Sequence, residues 1–182
     1  KDFSILLVND SATEVNIPSY HSNLRIKVID LKSNYGISIA LKRAEPYLES
    51  DYVARLDCGD EIHPERFARQ LNFLSTHPEY GLVGVRTDLF IENKKIKSFM
   101  RTSSSGIQNL SRYLFYSNPF VHGSIMLRTS TFFLAGGYAK KVTIAQDLDL
   151  YFRISQHASL FIIDEILHKH TFRHTGITFS RN

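Results

Sequence analysis

Tyr52-Val53-Ala54-Arg55-Leu56-Asp57-Cys58-Gly59-Asp60-Glu61-Ile62-His63-Pro64-Glu65-Arg66-Phe67 is the stretch that decides how this chain folds. Tyr52 to Leu56 reads as a strand, and it stops at two carboxylates, Asp57 and Asp60. Pro64 then opens a helix in the first turn, where its missing N–H leaves no bond unmade. Strand, acidic turn and helix make the layout in which open α/β sheets bind ligands, outside the carboxyl ends of their strands. Gly59 lets the backbone turn tightly there. Two hard oxygen donors so close in sequence can hold a divalent cation while diphosphate oxygens fill its other positions. An Asp-Gly pair also suits a plain turn, so spacing alone leaves both readings open.

Outward from this stretch, strands alternate with helices. Phe3 to Val8 is a nearly continuous apolar run closed by Asn9-Asp10-Ser11, the pattern of a buried parallel strand. Arg25 to Ile29 is a second strand, and Ile37 to Leu48 a helix disturbed near Pro46. In the helix after Pro64, Phe67, Leu71 and Leu74 fall at i, i+4 and i+7 and predict its buried stripe. Gly81 to Val85 predicts a strand, and Asp88 to Ile96 a hairpin turning at Glu92-Asn93-Lys94. Ile107 to Tyr116, Thr129 to Leu134 and Asp147 to Gln156 predict helices, and Ser124 to Leu127, Ser159 to Ile163 and Ile166 to Thr171 predict strands. Thr102 to Gly106 reads as a polar loop. Residues 1–182 contain no linker, and the alternation predicts one α/β domain with a mostly parallel sheet.

Composition narrows the function. The chain has 182 residues, 43% of them hydrophobic, enough for a single core. It has no run near the ~20 apolar residues that span a bilayer. Its one cysteine, Cys58, excludes an internal disulfide and fits a reducing compartment. The net charge of +4 is small and dispersed; Lys94, Lys95 and Lys97 are its densest cluster and read as a solvated hairpin, not a nucleic-acid patch. The same basic surface is compatible with peripheral association with anionic lipid.

With its flanks included, the opening stretch resembles the signature of inverting nucleotide-sugar glycosyltransferases with a GT-A fold, glycosyltransferase family 2. The match runs from Asp51 through the Pro64-Glu65-Arg66-Phe67 helix start to Gln70, and continues in His77-Pro78-Glu79-Tyr80-Gly81-Leu82-Val83-Gly84. The resemblance covers Asp2 to about Arg173. It implies a Rossmann-like α/β sheet flanked by helices and a Mn2+ or Mg2+ cofactor. Gly59 stands where the family usually has aspartate, which shifts the metal role to Asp60 and leaves Asp57 to bind ribose or share the metal.

A second match, Gly136-Gly137-Tyr138 followed by Gln146-Asp147-Leu148-Asp149, maps the family's catalytic base onto Asp147. An inverting transfer needs one carboxylate to take the proton of the attacking hydroxyl. A carboxylate in a first helical turn is also favoured by the helix dipole alone, and that reading stays open for Asp147. Asp149 is the lesser candidate for base, and with Gly137 and His122 it falls on the acceptor and sugar side.

Asp10, in Val8-Asn9-Asp10-Ser11, maps onto the carboxylate that accepts from the nucleotide base, and Asn34 onto the loop beside it. His122, in Asn118-Pro119-Phe120-Val121-His122-Gly123, either orients an acceptor hydroxyl or is a satisfied core residue. The tail carries His168, His170 and His174. The resemblance implies His170 at the metal and Arg173 and His174 at the diphosphate, whereas the histidines alone would suggest zinc hydrolysis.

The family ordinarily begins with a further strand and helix, so the resemblance leads us to expect a domain lacking its first β-α unit. The function expected is metal-dependent inverting transfer from a nucleotide-diphosphate sugar, a UDP-sugar, to a saccharide or lipid-linked acceptor, at the cytoplasmic face of a bacterial membrane in surface-polysaccharide assembly. The alternative is a non-catalytic module that binds a nucleotide or a partner.

Overall fold

A computed structural model of the chain describes residues 3–17, 24–91, 94–99 and 110–172. Two sheets organise it. β1 (Ser4–Asn9) and β2 (Arg25–Asp30) pair in parallel, from Ser4 opposite Arg25 to Asn9 opposite Asp30. A six-stranded sheet takes the order β3 (Tyr52–Ala54), β7 (Met126–Arg128), β5 (Tyr80–Ile91), β8 (Ser159–Phe172), β4 (Glu61–Ile62), with β6 (Lys94–Phe99) paired to the far part of β5. Among the described residues five α-helices complete it: α1 (Ile37–Ala44), α2 (Arg66–Thr76), α3 (Leu110–Tyr113), α4 (Thr129–Leu134) and α5 (Gln146–Ile154). No helix among the described residues is long and apolar enough to cross a membrane.

The alternation of strands and helices is as expected, but the larger sheet is mixed. Only β5–β8 runs parallel in it; β3–β7, β5–β7, β4–β8 and β5–β6 are antiparallel. Buried strands look alike in sequence whichever way their neighbours run, so direction was not legible there. Among the described residues, β1 and β3 each have a strand partner on one side only.

The two expected terminal strands are one. Asp164 and Glu165 read as a break, yet β8 carries them as an irregularity: Val85 faces Ile163 and Arg86 faces Ile166, so extra residues bulge from β8 without ending it. α1 stops at Ala44 and Pro46 sits in the 3₁₀ turn Glu45–Tyr47 that follows. Of the expected helix 107–116, the described part is helical at Leu110–Tyr113. The turn residues Glu92 and Asn93, the loop 102–106, Arg173 and His174 lie outside the described residues.

The core lies between the large sheet and α3, α4 and α5. Leu82, Ile125, Leu127, Phe132, Leu150, Tyr151, Ile154, Leu160 and Ile162 are all buried in one cluster. Each such large side chain contributes on the order of 1.5–3 kcal/mol. α2 departs from its expected stripe. Its buried residues are Arg66, Gln70 and Leu74, while Leu71 is 41% exposed. The polar pair is there because the backbone needs it. Arg66 donates from Nη2 to the carbonyls of Arg55 (2.9 Å) and Ile125 (3.2 Å), and Gln70 Nε2 donates to those of Val83 (3.0 Å) and Ser124 (2.9 Å). Arg66 Nε also donates to Gln70 Oε1 at 3.0 Å. The Ile125 carbonyl also accepts the N–H of Arg55 at 2.9 Å, so Arg66 gives it a second donor. A buried carbonyl left without any donor costs about 1–3 kcal/mol.

Candidate active site

The acidic turn follows directly from β3. The carbonyl of Asp57 accepts the N–H of Asp60 at 3.1 Å, and Gly59 between them has φ +94°, the left-handed region that glycine enters freely. The side chains then part. Asp57 Oδ1 pairs with Arg55 Nη2 at 2.6 Å. Asp60 turns inward, its side chain 2% exposed, between two histidines of β8: Oδ1 accepts from His170 Nδ1 at 2.7 Å and Oδ2 lies 3.0 Å from His168 Nε2. Alternation along β8 puts both rings on one face, as their spacing predicts. Pairing of Ile62 with His168 holds β8 beside the turn.

Burial pushes the Asp60 carboxyl up, but the close approach and charges of His168 and His170 outweigh it and bring its pKa down to about 2. The same bond raises His170 above the ordinary histidine value, against the effect of burial. Beneath the turn, burial lowers the guanidinium of Arg66 to about 10, and the charges of Asp60 and Asp57 oppose that.

The donor set suits a divalent cation. Asp60 Oδ2 and His168 Nε2 are both buried; although only 3.0 Å apart they are not aligned as a hydrogen bond, and neither has another partner. His168 Nδ1 is engaged with Thr87 Oγ1 at 3.1 Å, which leaves Nε2 as the nitrogen turned to the carboxylate. A carboxylate flanked by imidazoles is the ligand chemistry of Mn2+ more than of Mg2+. Asp60 and His170 would hold the cation, with His168 behind them. Among the described residues no group of three or more such side chains stands ready as a metal cage, and the zinc hydrolase reading gains no support.

The base candidate sits at the other end of a short bridge. Asp147 opens α5, and Asn118 Nδ2 donates to its Oδ2 at 2.7 Å. Asn118 Oδ1 accepts the N–H of Phe120 at 3.0 Å, which fixes the amide. Five residues on, Gly123 lies against the acidic turn: a methyl at its Cα would stand 2.8 Å from Asp60 Oδ2, 3.2 Å from His168 Nε2 and 3.3 Å from the Asp57 nitrogen. The segment Asn118 to Gly123 therefore touches Asp147 at one end and Asp60 at the other. Ala145, just before α5, has φ +57°, a conformation costing about 1–2 kcal/mol in an L-residue.

His122 lies inside this bridge, buried, with Nε2 2.8 Å from the hydroxyl of Tyr138. Burial, with the charge of Arg55, lowers its pKa well below the ordinary value and keeps the ring neutral. Asp149 is held by Arg153, at 2.6 Å from Nη2 and 3.1 Å from Nε. Gly137 has φ +66° and packs against Glu45.

At the residues expected to meet the nucleotide, Asp10 accepts the N–H groups of Tyr35 (2.7 Å) and Gly36 (2.9 Å), and Asn34 Oδ1 also accepts from Gly36 (3.1 Å). The structure thus brings Asp10 and Asn34 into one loop at the start of α1, with Asp10 already serving that loop's backbone.

Sequence reasoning passed over Arg55, Asn118, Tyr138 and Tyr151. The Tyr151 hydroxyl is buried without a partner, and burial, then the charge of Asp147, raises its pKa. These residues carry no motif of their own. For Tyr151 the one signal is position, four residues after Asp147 on the same helix face. A cavity of about 520 Å³ lined by Glu49, Asp51, Arg128 and Phe133 lies at the other end of β3 and holds none of the candidate residues. The guanidinium of Arg128 is committed there to Tyr52 and to the carbonyls of Leu74, His77 and Tyr80.

The model of glycosyl transferase family 2 matches residues 1–134. The chain is similar to EpsE, named as a glycosyltransferase, of Bacillus subtilis (strain 168): 26% identical over 195 residues, covering 99% of this chain and 68% of that protein. It is also similar to the amylovoran biosynthesis glycosyltransferase AmsE of Erwinia amylovora, 30% identical over 132 residues, covering 72% of this chain and 48% of AmsE. The chain thus spans about two thirds of one relative and about half of the other. Among solved structures, S. aureus TarS 1–349 in complex with UDP-GlcNAc superposes with a TM-score of 0.67 at 19% identity, over 99% of this chain and 52% of that one. The mannosyltransferase PcManGT from Pyrobaculum calidifontis in complex with GDP-Man and Mn2+ gives 0.67 at 14% identity, over 95% and 49%. At these identities the structures show the shared α/β fold. Asp147 lies past the span of the family model and inside the span matched to EpsE.

Proposed function

Because this chain belongs to glycosyl transferase family 2, we propose that it transfers a sugar from a UDP-sugar to a hydroxyl of a saccharide or lipid-linked acceptor, with inversion at the anomeric carbon and dependence on Mn2+ or Mg2+. The observation that carries the proposal is the bridge from Asn118 to Gly123, which touches Asp147 at one end and Asp60 at the other. Carboxylates for the two halves of the reaction thus flank one segment of chain.

In this reading Asp147 takes the proton of the acceptor hydroxyl as its oxygen attacks the anomeric carbon. The bond from that carbon to the diphosphate oxygen breaks with its electron pair going to the diphosphate. Asn118 orients the base by holding one of its oxygens. Asp60 and His170 hold the cation, which when bound neutralises charge on the leaving diphosphate. Asp57, paired with Arg55, faces the ribose. Asp10 and Asn34 set the loop that meets the base ring. Asp149 and Gly137 border the sugar, and Arg173 and His174 are assigned to the diphosphate. The name of AmsE, which refers to amylovoran biosynthesis, supports a role in bacterial polysaccharide assembly. We place that role at the cytoplasmic face of the membrane as part of the same proposal.

Calorimetric titration of UDP with and without Mn2+, followed by assay of transfer from UDP-sugars, tests this. Binding should depend on the metal, and Asp147→Asn should lower turnover by about 10²–10⁴ while UDP affinity holds within about two-fold. UDP binding indifferent to metal refutes the metal role. Metal-dependent binding without turnover by the unaltered chain points instead to a non-catalytic module.

A further inference from the structure

Outside the carboxylate site, a set of buried and half-buried polar contacts joins α1 and its C-terminal turn to the loop that leads into α5. Glu45 is 8% exposed, yet no part of the proposed chemistry uses it. Its Oε1 accepts the backbone N–H of Tyr138 at 2.6 Å, and its Oε2 pairs with Lys42 at 2.7 Å. Seven residues earlier on α1, Ser38 Oγ donates to the carbonyl of Val142 at 2.6 Å. One side chain of α1 and one of the 3₁₀ turn that directly continues it thus hold the loop from Gly137 to Val142 near both its ends. Glu45 also explains Gly137, where a Cβ would stand 2.5 Å from Oε1.

α1 is tied at its start as well. Asp10 accepts the N–H groups of Tyr35 and Gly36, the two residues before the helix. The far side of the held loop continues through the Tyr138 hydroxyl to His122, next to the glycine that abuts Asp60. One rigid element therefore connects the Asp10 loop to the loop preceding Asp147.

We infer that Glu45, with Ser38 and Lys42, is a positioning group: α1 acts as a strut through which occupancy of the nucleotide loop sets the loop that presents Asp147 to the acceptor. The inference rests on the reading above that Asp10 and Asn34 lie at the nucleotide and Asp147 is the base. It assigns a role to residues that touch neither donor nor acceptor. A buried carboxylate whose two oxygens are separately committed has few alternative arrangements, so displacement at one end of α1 is transmitted to the other.

The test uses the full chain and UDP with Mn2+. Amide hydrogen exchange is followed across residues 137–142 in the unaltered protein, Glu45→Gln, Glu45→Ala and Ser38→Ala. UDP should slow exchange in this loop by about ten-fold in the unaltered protein. Glu45→Gln keeps an oxygen for the Tyr138 N–H and should retain most of that protection. In Glu45→Ala and Ser38→Ala it should fall below about two-fold, with UDP affinity changed less than about three-fold. Where transfer is measurable, kcat should fall in the same order while KM for the donor holds. The inference is overturned if UDP binds and leaves loop exchange unchanged in the unaltered protein, or if both variants keep full protection. Ser38→Ala serves if Glu45→Ala does not fold. Failure of UDP to bind the unaltered chain refutes the nucleotide assignment, a result distinct from binding without coupling.

Discussion

Gly123→Ala isolates the contact on which the carboxylate arrangement depends. Nothing in the backbone forbids alanine there, so the effect comes from space alone. The new methyl would stand 2.8 Å from Asp60 Oδ2, 3.2 Å from His168 Nε2 and 3.3 Å from the Asp57 nitrogen. None of the three can yield cheaply. Asp60 is held through Oδ1 by His170, His168 is fully buried and engaged with Thr87, and the third is backbone. The bridge and the acidic turn must separate by several tenths of an ångström. Overpacking of this kind costs about 1–3 kcal/mol. At about 2–4 °C per kcal/mol for a chain this long, Tm should fall by about 2–12 °C. Displacement of a metal-binding carboxylate should weaken Mn2+ binding in the presence of UDP by about 10–100-fold. Thermal unfolding and Mn2+ titration measure the two effects. Gly81→Ala is the control: its methyl would meet Ala158 Cβ and Thr131 Cγ2, both at 2.7 Å, among side chains away from the carboxylates. It should lower Tm and spare Mn2+ affinity. If Gly123→Ala leaves Tm within about 1 °C and Mn2+ affinity unaltered, or if Gly81→Ala weakens Mn2+ equally, the reasoning is wrong.

Arg66→Met removes the donor that serves the carbonyl of Arg55 and the second donor to that of Ile125, and should cost about 1–3 kcal/mol in urea unfolding, whereas Leu71→Ala on the exposed side of the same helix should stay within about 0.5 kcal/mol; the reverse order would disprove the polar inner face of α2. His170 has a raised pKa when folded, so its contribution is fully present below the unfolded value of 6.5 and is lost as pH rises through the folded value. With chelator present, His170→Gln should therefore destabilise more at pH 6 than at pH 9, and an equal loss at both would exclude the ion pair. Asp60 is the opposite case: its folded pKa of about 2 lies below 3.8, so its contribution is present above 3.8 and lost as pH falls through about 2. That shift corresponds, after screening on the exposed His170 side, to on the order of 1–2 kcal/mol, and the stability of Asp60→Asn measured from pH 6 to pH 2 should converge with that of the unaltered chain at the acid end.

By itself the sequence determined what depends on local order. Strand and helix positions followed from periodicity, the turn after β3 from Gly59 between carboxylates, and the family from two short motifs and their flanks. It placed Asp57, Asp60, Asp10 and Asn34 in loops at element ends, where the structure has them. It missed what depends on long-range pairing. The directions of the strands around β5 are set by which backbones meet, and a buried strand reads the same either way. Arg66 and Gln70 are buried where they donate to carbonyls that, for Arg66, lie 11 and 59 residues away, and hydrophobic periodicity does not encode such partners. The resemblance set His170 and Asp60 at one metal, but not the direct contacts of Asp60 with His168 and His170, which cross 108 and 110 positions, nor the capture of the Tyr138 N–H by Glu45, which crosses 93. A side chain's residue type states which bonds it can make; only the folded chain decides which partner is within reach when water has been excluded.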